Sequence, residues 1–503
     1  MLGTCRCVAV LAALALGITP VAAQTPKGTL VFASGGDADT LDPHFILERP
    51  DVRVSMHIHE NLVNFDQNGE LKPELAESWS VSDDRLTWTF NLRKGVTFHD
   101  GTPFNAEAVK QSFERILDPA TASPRRSIAS VISAVKVIDE YTVALITDKP
   151  FAPLPSQVSM FNLAIVGPAA KTPGADYARK PVGTGPFKFA AWQVGEKITL
   201  VRNEAYWGPK PAIERIEFRV VPEDSARVLQ LMSGEADVIA NVPPAMLPQL
   251  KSSSAVKVIQ ETSFRTVLLG VNNKIKPFDD LRVRQALAHA IDTSSLVKGV
   301  LRGIPKHGGG IEAPDIPGAR KDLPPYAHDT AKARRLLAEA GYPNGFSTTL
   351  MTPTGRFMND RQLAEAIQAQ AREVGIDIKI EAPEWATYNT LLNKREVPLF
   401  LSTKGNPTGD LDLTMHLVAH SAGQMNFYNW KNPKADQLIE TQRGTTDREQ
   451  RYALLSEIQQ SFYDEVPAIV LFYDAQLYAA RSNVTGVRVQ PNETVTFTHV
   501  RKN

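Results

Sequence analysis

The chain has 503 residues, 43% hydrophobic and 22% charged, a composition that excludes a disordered, collagen-like or small disulfide-rich protein. This length predicts more than one domain, because a single hydrophobic core stops growing beyond about 250–300 residues. Basic and acidic residues both number 55. The resulting neutral charge disfavours nucleic acid or an anionic membrane as a partner.

Residues 1–23 have the pattern of a secretory signal peptide. Arg6 supplies a positive charge, an apolar run follows at 8–18, and small residues at 21–23 form a cleavage site. The apolar run is much shorter than the roughly 20 residues of a membrane-spanning helix. Both cysteines precede that run, so they are not placed for lipid attachment. The sequence therefore predicts a cysteine-free mature protein in the periplasm.

Helices and strands alternate along the mature chain. Alternating apolar residues predict a β hairpin over 71–98, with a turn at Asp83-Asp84, and Asn105 is expected to cap the helix that follows. Further helices are predicted after Asp280 and over 331–340, 361–374 and 448–463, with strands at 376–380 and 468–478. No repeat or Pro-rich linker divides the chain, which favours interleaved domains.

The usual motifs of catalysis are absent from the sequence. There is no nucleophile elbow, no zincin motif and no cysteine after the leader. The Gly-Thr-Gly-Pro run at 183–186 lacks the third glycine and the lysine of phosphate-binding loops, which predicts a structural turn. His416 and His420 have the spacing of metal ligands on a helix, but no carboxylate completes the set. We therefore expect that the protein is not an enzyme and has neither a cofactor nor a metal site.

Six segments, in order along almost the entire mature chain, resemble one protein family. They include Leu-Arg-Lys-Gly-Val-Thr-Phe-His-Asp-Gly-Thr-Pro-Phe at 92–104, Pro-Val-Gly-Thr-Gly-Pro-Phe at 181–187 and Pro-Phe-Asp-Asp-Leu-Arg-Val-Arg-Gln-Ala-Leu at 277–287. The others lie at 203–208, 332–342 and 466–469. The chain is similar to the bacterial extracellular solute-binding proteins of family 5, the dipeptide, oligopeptide and nickel class that serves ABC importers.

This resemblance implies an α/β fold, a periplasmic-binding-protein-like two-lobed clamp of type II, in the large cluster with an inserted β-rich third subdomain. The implied lobe I combines residues 24–66, 181–268 and 479–503, the inserted subdomain is 67–180, and lobe II is 269–478. The chain is expected to cross between the lobes at 266–272 and 469–478.

The implied function is that of a periplasmic substrate-binding component of an ABC importer. The protein would capture a small peptide or peptide-like solute by lobe closure and deliver it, as a monomer, to an inner-membrane permease with its ATPase subunits. Other solutes stay open: a nickel chelate, glutathione, an opine or an oligosaccharide. A periplasmic receptor or chaperone is a further alternative, and a secreted hydrolase lacks its motifs.

The resemblance also implies substrate-binding residues, all in lobe II. Arg361, with Arg356 as a substitute, matches an arginine that pairs with the ligand carboxylate in peptide-binding relatives, because a guanidinium fork suits a carboxylate. Trp385 and Tyr388 match a segment that walls the pocket. The loop at 401–412 departs from the pattern, since it lacks the family's tryptophan and no residue clearly matches the aspartate that binds the ligand ammonium. Asp410 and Asp412 are the candidates in this loop for binding the ligand ammonium group.

Overall fold

The computed structural model describes residues 28–66, 69–171, 175–354 and 358–503, so the predicted signal peptide lies outside it. The chain forms a mixed α/β structure around a ten-stranded sheet. Its strands are β1 (Thr29–Ser34), β2 (Val63–Phe65), β3 (Leu71–Pro73), β4 (Ala76–Val81), β5 (Thr87–Leu92), β6 (Ile132–Asp139), β7 (Thr142–Thr147), β8 (Phe187–Gln193), β9 (Lys197–Arg202), β10 (Arg215–Val220), β11 (Val238–Ala240), β12 (Val256–Val271), β13 (Phe346–Met351), β14 (Ile376–Glu381), β15 (Leu399–Lys404), β16 (Ala468–Arg481), β17 (Val484–Thr485), β18 (Arg488–Val489), β19 (Val495–Thr496) and β20 (Arg501–Lys502).

Helices cover the faces of the sheets and connect the strands. They are α1 (Arg49–Ser55), α2 (Ala106–Leu117), α3 (Arg126–Ala129), α4 (Leu154–Val158), α5 (Ala175–Arg179), α6 (Asp224–Ser233), α7 (Leu247–Ser252), α8 (Leu281–Ala290), α9 (Thr293–Ser295), α10 (Thr330–Glu339), α11 (Asp360–Glu373), α12 (Trp385–Lys394), α13 (Leu411–Thr414), α14 (Pro433–Arg443) and α15 (Arg448–Glu465). None of the helices in the described part of the chain is long and apolar enough to cross a membrane.

The hairpin and helices predicted from the sequence are confirmed. β4 and β5 pair antiparallel, and the Asn105 side chain accepts a hydrogen bond from the amide of Ala108 at 3.1 Å. Asp280 caps α8 in the same way, through the amide of Arg282 at 2.8 Å. These caps satisfy amide groups that have no partner within the helix, which is why short polar side chains mark the helix starts.

Two long antiparallel strands, β12 and β16, run through the middle of the large sheet. The sheet order is β14-β13-β15-β12-β16-β11-β1-β10-β9-β8, so β15 lies against β12 on one side and β11 against β16 on the other. The register of the β12–β16 pair shifts between Thr262 and Thr266. Such an irregularity bends a strand pair locally. The two strands therefore connect the two halves of the sheet through a kinked ribbon.

A separate four-stranded sheet, in the order β4-β5-β7-β6, lies outside the large sheet. Apolar side chains between Leu62 and Ile165 form a core of their own with α2. Other cores contain residues between Val267 and Phe472, and residues from the first and last parts of the chain. The two-lobed α/β clamp with a β-rich insert describes this architecture, while the exact domain boundaries stay a prediction.

The predicted Gly-Thr-Gly-Pro turn packs directly against the backbone of Ile58, which lies three residues after α1. The amide of Gly185 donates to Ile58 O at 2.9 Å, and a Cβ atom built on Gly183 lies 2.0 Å from that same carbonyl oxygen. Only a residue without a side chain fits such a close approach of two backbones. The glycines therefore have a structural role, since they allow the two backbones to pack closely, and the predicted structural turn is confirmed.

Gly183→Ala is expected to lower the free energy of unfolding by about 1–3 kcal/mol, the usual cost of overpacking. Gly299→Ala is the matched control, because nothing lies within 4 Å of a Cβ at that position. Chemical denaturation of both variants measures the difference. An unchanged Gly183→Ala protein would contradict this account of the turn.

Candidate functional site

A cluster of charged side chains lies where the register of β12 and β16 shifts. Arg265 of β12 forms two parallel hydrogen bonds with the Glu493 carboxylate, from Nε at 3.0 Å and from Nη2 at 2.9 Å. Arg49 of α1 reaches the same carboxylate at 2.6 Å. Arg265 also donates to Thr403 Oγ1 of β15 at 3.1 Å. The Arg265–Glu493 ion pair therefore connects both halves of the sheet with the C-terminal segment.

The two buried carboxylates of this cluster differ in their protonation. Burial favours the neutral acid in both, but Arg265 and Arg49 outweigh it at Glu493 and lower the pKa of that carboxyl group. At Asp474 of β16, burial dominates and raises the pKa to about 6. Glu493 is therefore a permanent anion near neutral pH, whereas Asp474 takes up a proton in weakly acidic solution.

A polar cavity of about 440 Å³ opens on one side of the Arg265–Glu493 pair; we call it the charged cavity. Glu493 and Asp474 line it together with Arg49 and Arg53 of α1. Met358, just before α11, contributes to the wall from the other half of the sheet. Ionisable groups of both signs thus face one space.

A second cavity, of about 300 Å³, lies on the other side of the same ion pair, since Arg265 lines it; we call it the aromatic cavity. The rings of Trp385 and Tyr388 stack in its wall, with centroids 5.4 Å apart and planes 11° apart. Phe427 and Met425 add further apolar surface. The Tyr388 hydroxyl donates to Leu401 O and fixes the ring against β15. A charged space and an apolar space therefore meet at Arg265 and Glu493.

Comparisons with known proteins decide the family of this chain. A model of the bacterial extracellular solute-binding proteins, family 5 (middle region), matches residues 70–426. The chain belongs to this family. It is 30% identical to the dipeptide-binding protein of Escherichia coli K12 over 95% of both chains, and 30% identical to that strain's glutathione-binding protein GsiB over 93% of both.

A solved structure agrees with this assignment. The periplasmic binding protein DppA of Helicobacter pylori, which is associated with an ABC transporter and was solved with the peptide STSA, superposes with a TM-score of 0.78 at 30% identity. The match covers 95% of this chain and 98% of that one. The resemblance seen in the sequence motifs is therefore confirmed, and so is the clamp fold that it implied.

The structure of this solute-binding protein places Trp385 and Tyr388 together in the aromatic cavity, but their contact with a ligand stays a prediction. Arg361 lies on α11 with its side chain 64% exposed and pairs with Glu365 at 3.1 Å. Arg361 is not among the residues that line the charged or the aromatic cavity, and its contact with a ligand stays a prediction. Arg356 lies outside the described residues.

Asp412 is buried, Asp410 is partly buried, and both are engaged within the protein. Arg451 of α15 binds the Asp410 carboxylate with two hydrogen bonds of 2.7 and 2.6 Å, and Asp412 pairs with Arg443 at 3.0 Å. Asp410 lines a third cavity, of about 280 Å³, away from the charged cavity. A ligand ammonium group at Asp410 has to compete with Arg451, so the role predicted for these aspartates depends on displacing an ion pair.

The two histidines with metal-ligand spacing face an acidic side chain. His416 Nδ1 lies 3.8 Å and His420 Nε2 3.7 Å from the same oxygen of Glu440. Burial lowers the pKa of His416 to about 4, so this imidazole is neutral. Among the described residues, no group of three or more histidine, cysteine or acidic side chains is arranged to hold a metal ion.

The charged cavity and the aromatic cavity together form the space that we call the cleft. Sequence reasoning missed the charged residues of this cleft. Arg265, Glu493 and Arg49 are far apart in the chain, and no local pattern links them. One signal was available: Asp474 is the only charged residue in the apolar strand 468–478. A lone acid in a buried strand marks a group that needs a partner or a function.

Proposed function

We propose that this protein captures a peptide-like solute in the cleft and delivers it to an ABC importer. One observation carries the proposal: the charged cavity and the aromatic cavity adjoin at the Arg265–Glu493 pair. A peptide offers the matching chemistry, since it has ionised termini and hydrogen-bonding groups beside apolar side chains. The peptide and dipeptide named for relatives of this chain agree with that choice.

Lobe closure supplies the transport step in this proposal. A solute that contacts both halves of the sheet stabilises the closed clamp by its differential affinity for that state. The inner-membrane permease then recognises the closed form, and its ATPase subunits supply the energy. Residues 1–23 direct the chain to the periplasm, where it acts as a monomer without catalysis of its own.

The first experiment is mass spectrometry of solutes that remain bound to protein purified from the periplasm. Isothermal titration calorimetry with di- and tripeptides then measures affinity. A peptide or peptide-like compound in the first experiment, with binding in the second, supports the proposal. A co-purified sugar or metal chelate, together with no peptide binding, contradicts it.

Trp385→Ala is expected to weaken the binding of peptides with a large apolar side chain by about 2 kcal/mol, because an aromatic anchor in a pocket carries much of the binding energy. The loss should be smaller for Ala-Ala than for Ala-Phe, since alanine leaves the aromatic cavity unfilled. Trp79→Ala, on the separate four-stranded sheet, is the matched control. Equal losses for both peptides would place Trp385 outside the site.

A further inference from the structure

The charged cavity contains an arginine without an acidic partner. Arg53 of α1 is only 6% exposed, and among the described residues no carboxylate lies within ion-pair distance of it. Its Nη2 donates to Asn241 Oδ1 at 3.3 Å, and its guanidinium lies 6.0 Å from the centre of the Tyr478 ring. Its Nε has no hydrogen-bond partner in the part of the chain that the structure describes. A buried charge with so few partners is costly unless something else compensates it.

The charges around this arginine do not balance it. Glu493 is shared by Arg49 and Arg265, whose charges also act on the Asp474 carboxyl group. Arg227, which also lines the charged cavity, already pairs with Asp224. The lining of the charged cavity holds three arginines and, when Asp474 is ionised, three carboxylates. Arg265 pairs with Glu493 from the side of the aromatic cavity and adds a fourth positive charge. The cavity wall and Arg265 together therefore carry an excess of one positive charge, and Arg53 is the arginine left without an acidic partner.

Two more polar atoms of the charged cavity lack partners within the described structure. They are Nε of Arg227 and Oε1 of Gln476, and their side chains are 2% and 7% exposed. Native proteins satisfy most buried polar groups, so three unsatisfied atoms on side chains that line one cavity show that the polar groups of its wall do not satisfy one another. Two of these three atoms are donors on guanidinium groups, which favours an acceptor with negative charge.

We infer that the charged cavity receives an anionic group of the solute, with Arg53 as its main partner, and that the solute class is therefore acidic peptide-like molecules. This inference rests on the proposed function and narrows it: the solute carries a carboxylate beyond the one that balances its own ammonium group. The anionic group replaces the acidic partner that Arg53 lacks.

Calorimetry with matched probes tests the inference. The pairs Ala-Glu and Ala-Gln, and Ala-Ala-Glu and Ala-Ala-Gln, differ only in one negative charge, and glutarate tests the anionic group without a peptide. The wild-type protein is expected to prefer the acidic member of each pair by about 30-fold, as for a buried charge pair. Arg53→Gln should remove this preference, and Arg53→Lys should restore part of it, because it keeps the charge but loses the planar fork.

The ratio between acidic and neutral peptides is the informative quantity, because a general loss of structure lowers both affinities. Arg335→Gln, an exposed arginine on α10, is the matched control and should leave the ratio unchanged. Equal binding of both members by the wild-type protein, or a preference that survives Arg53→Gln, overturns the inference and leaves the proposed function intact.

The glutarate measurement separates the two proposals when peptides fail. If no peptide binds but glutarate does, and only with Arg53 present, the anion site stands and the peptide function is wrong. If neither peptides nor glutarate bind, both proposals are wrong.

Discussion

Glu312→Gln is expected to lower the free energy of unfolding by about 3–5 kcal/mol, because it leaves a buried ammonium group without its counter-ion. Glu312 and Lys404 form an ion pair in which the side chains are 0% and 3% exposed. Asn406 donates to the other oxygen of the same carboxylate at 3.3 Å. The amide of glutamine can accept hydrogen bonds but cannot balance the charge of Lys404.

The double variant Glu312→Met with Lys404→Met is the informative companion. Replacing both members of a buried ion pair with apolar side chains of similar size is often neutral. We therefore expect the double variant to regain most of the stability that Glu312→Gln loses. Urea unfolding of the three proteins measures this. A loss below about 1 kcal/mol for Glu312→Gln would show that the pair contributes little.

This ion pair also bears on the loop that departs from the family pattern. Lys404 ends β15, directly before the loop that carries Asp410. Its ammonium group is turned inward to Glu312 and away from the charged cavity. The loop is thus held mainly by Glu312 and Arg451, with a further hydrogen bond from Ser156 of α4 to Asp410 at 3.4 Å, and the charges of the cleft come from other elements.

The contribution of Glu60 to stability should decrease as the pH rises from about 4.5 to about 8, because Glu60 keeps its proton in the folded protein. Burial and the nearby Glu74 carboxyl group raise the pKa of Glu60 to about 8 from a usual value of 4.5. Between these values the unfolded chain has released the proton and the folded chain still holds it. The Glu60 contribution is therefore complete below pH 4.5 and is lost as the pH rises through 8.

The surroundings of Glu60 show where its proton resides. The Trp207 indole donates to Oε2 at 2.9 Å, and Thr184 donates to the same oxygen at 2.8 Å. The Tyr206 hydroxyl lies 2.8 Å from Oε1 and can donate or accept. The proton is expected on Oε1, facing Tyr206. Two family-like segments, 181–187 and 203–208, thus converge on one buried acid.

Glu60→Gln tests this expectation, because the amide imitates the protonated acid. Its NH₂ group can donate to Tyr206 while its oxygen accepts from Trp207 and Thr184. The free energy of unfolding of the wild type, taken relative to that of Glu60→Gln, is expected to fall by up to about 1.4 kcal/mol per pH unit across the window, because the groups common to both proteins cancel in the difference. Asp139→Asn, at an exposed turn, is the control. Parallel pH profiles for wild type and Glu60→Gln would show that Glu60 is ionised in the folded state.

Local patterns in the sequence were sufficient to predict the helices and strands and the residues at which they begin and end. α11 begins at Asp360 and α15 at Arg448, within one residue of the positions predicted from apolar spacing and glycine ends. The order of the family-like segments was sufficient to predict the fold. The residues of these segments pack in a hydrophobic core or make a close backbone contact, so their pattern reflects the packing of the fold. Gly183, for example, is required by the carbonyl of Ile58.

The sequence alone determined the helices and strands, since apolar periodicity, caps and glycine turns act over a few residues. The two-lobed clamp and the family followed from the resemblance of six ordered segments to known solute-binding proteins. Only the tertiary structure decided which charges share the cleft. Arg53, Arg265 and Glu493 come from a helix, a strand and the C-terminal segment, and their meeting depends on the kinked β12–β16 ribbon. Asp410 looked available in its loop, but Arg451 reaches it from a helix that begins at residue 448. Pairing between distant residues is a property of the packed molecule, because the Coulomb energy depends on distance in space and on burial.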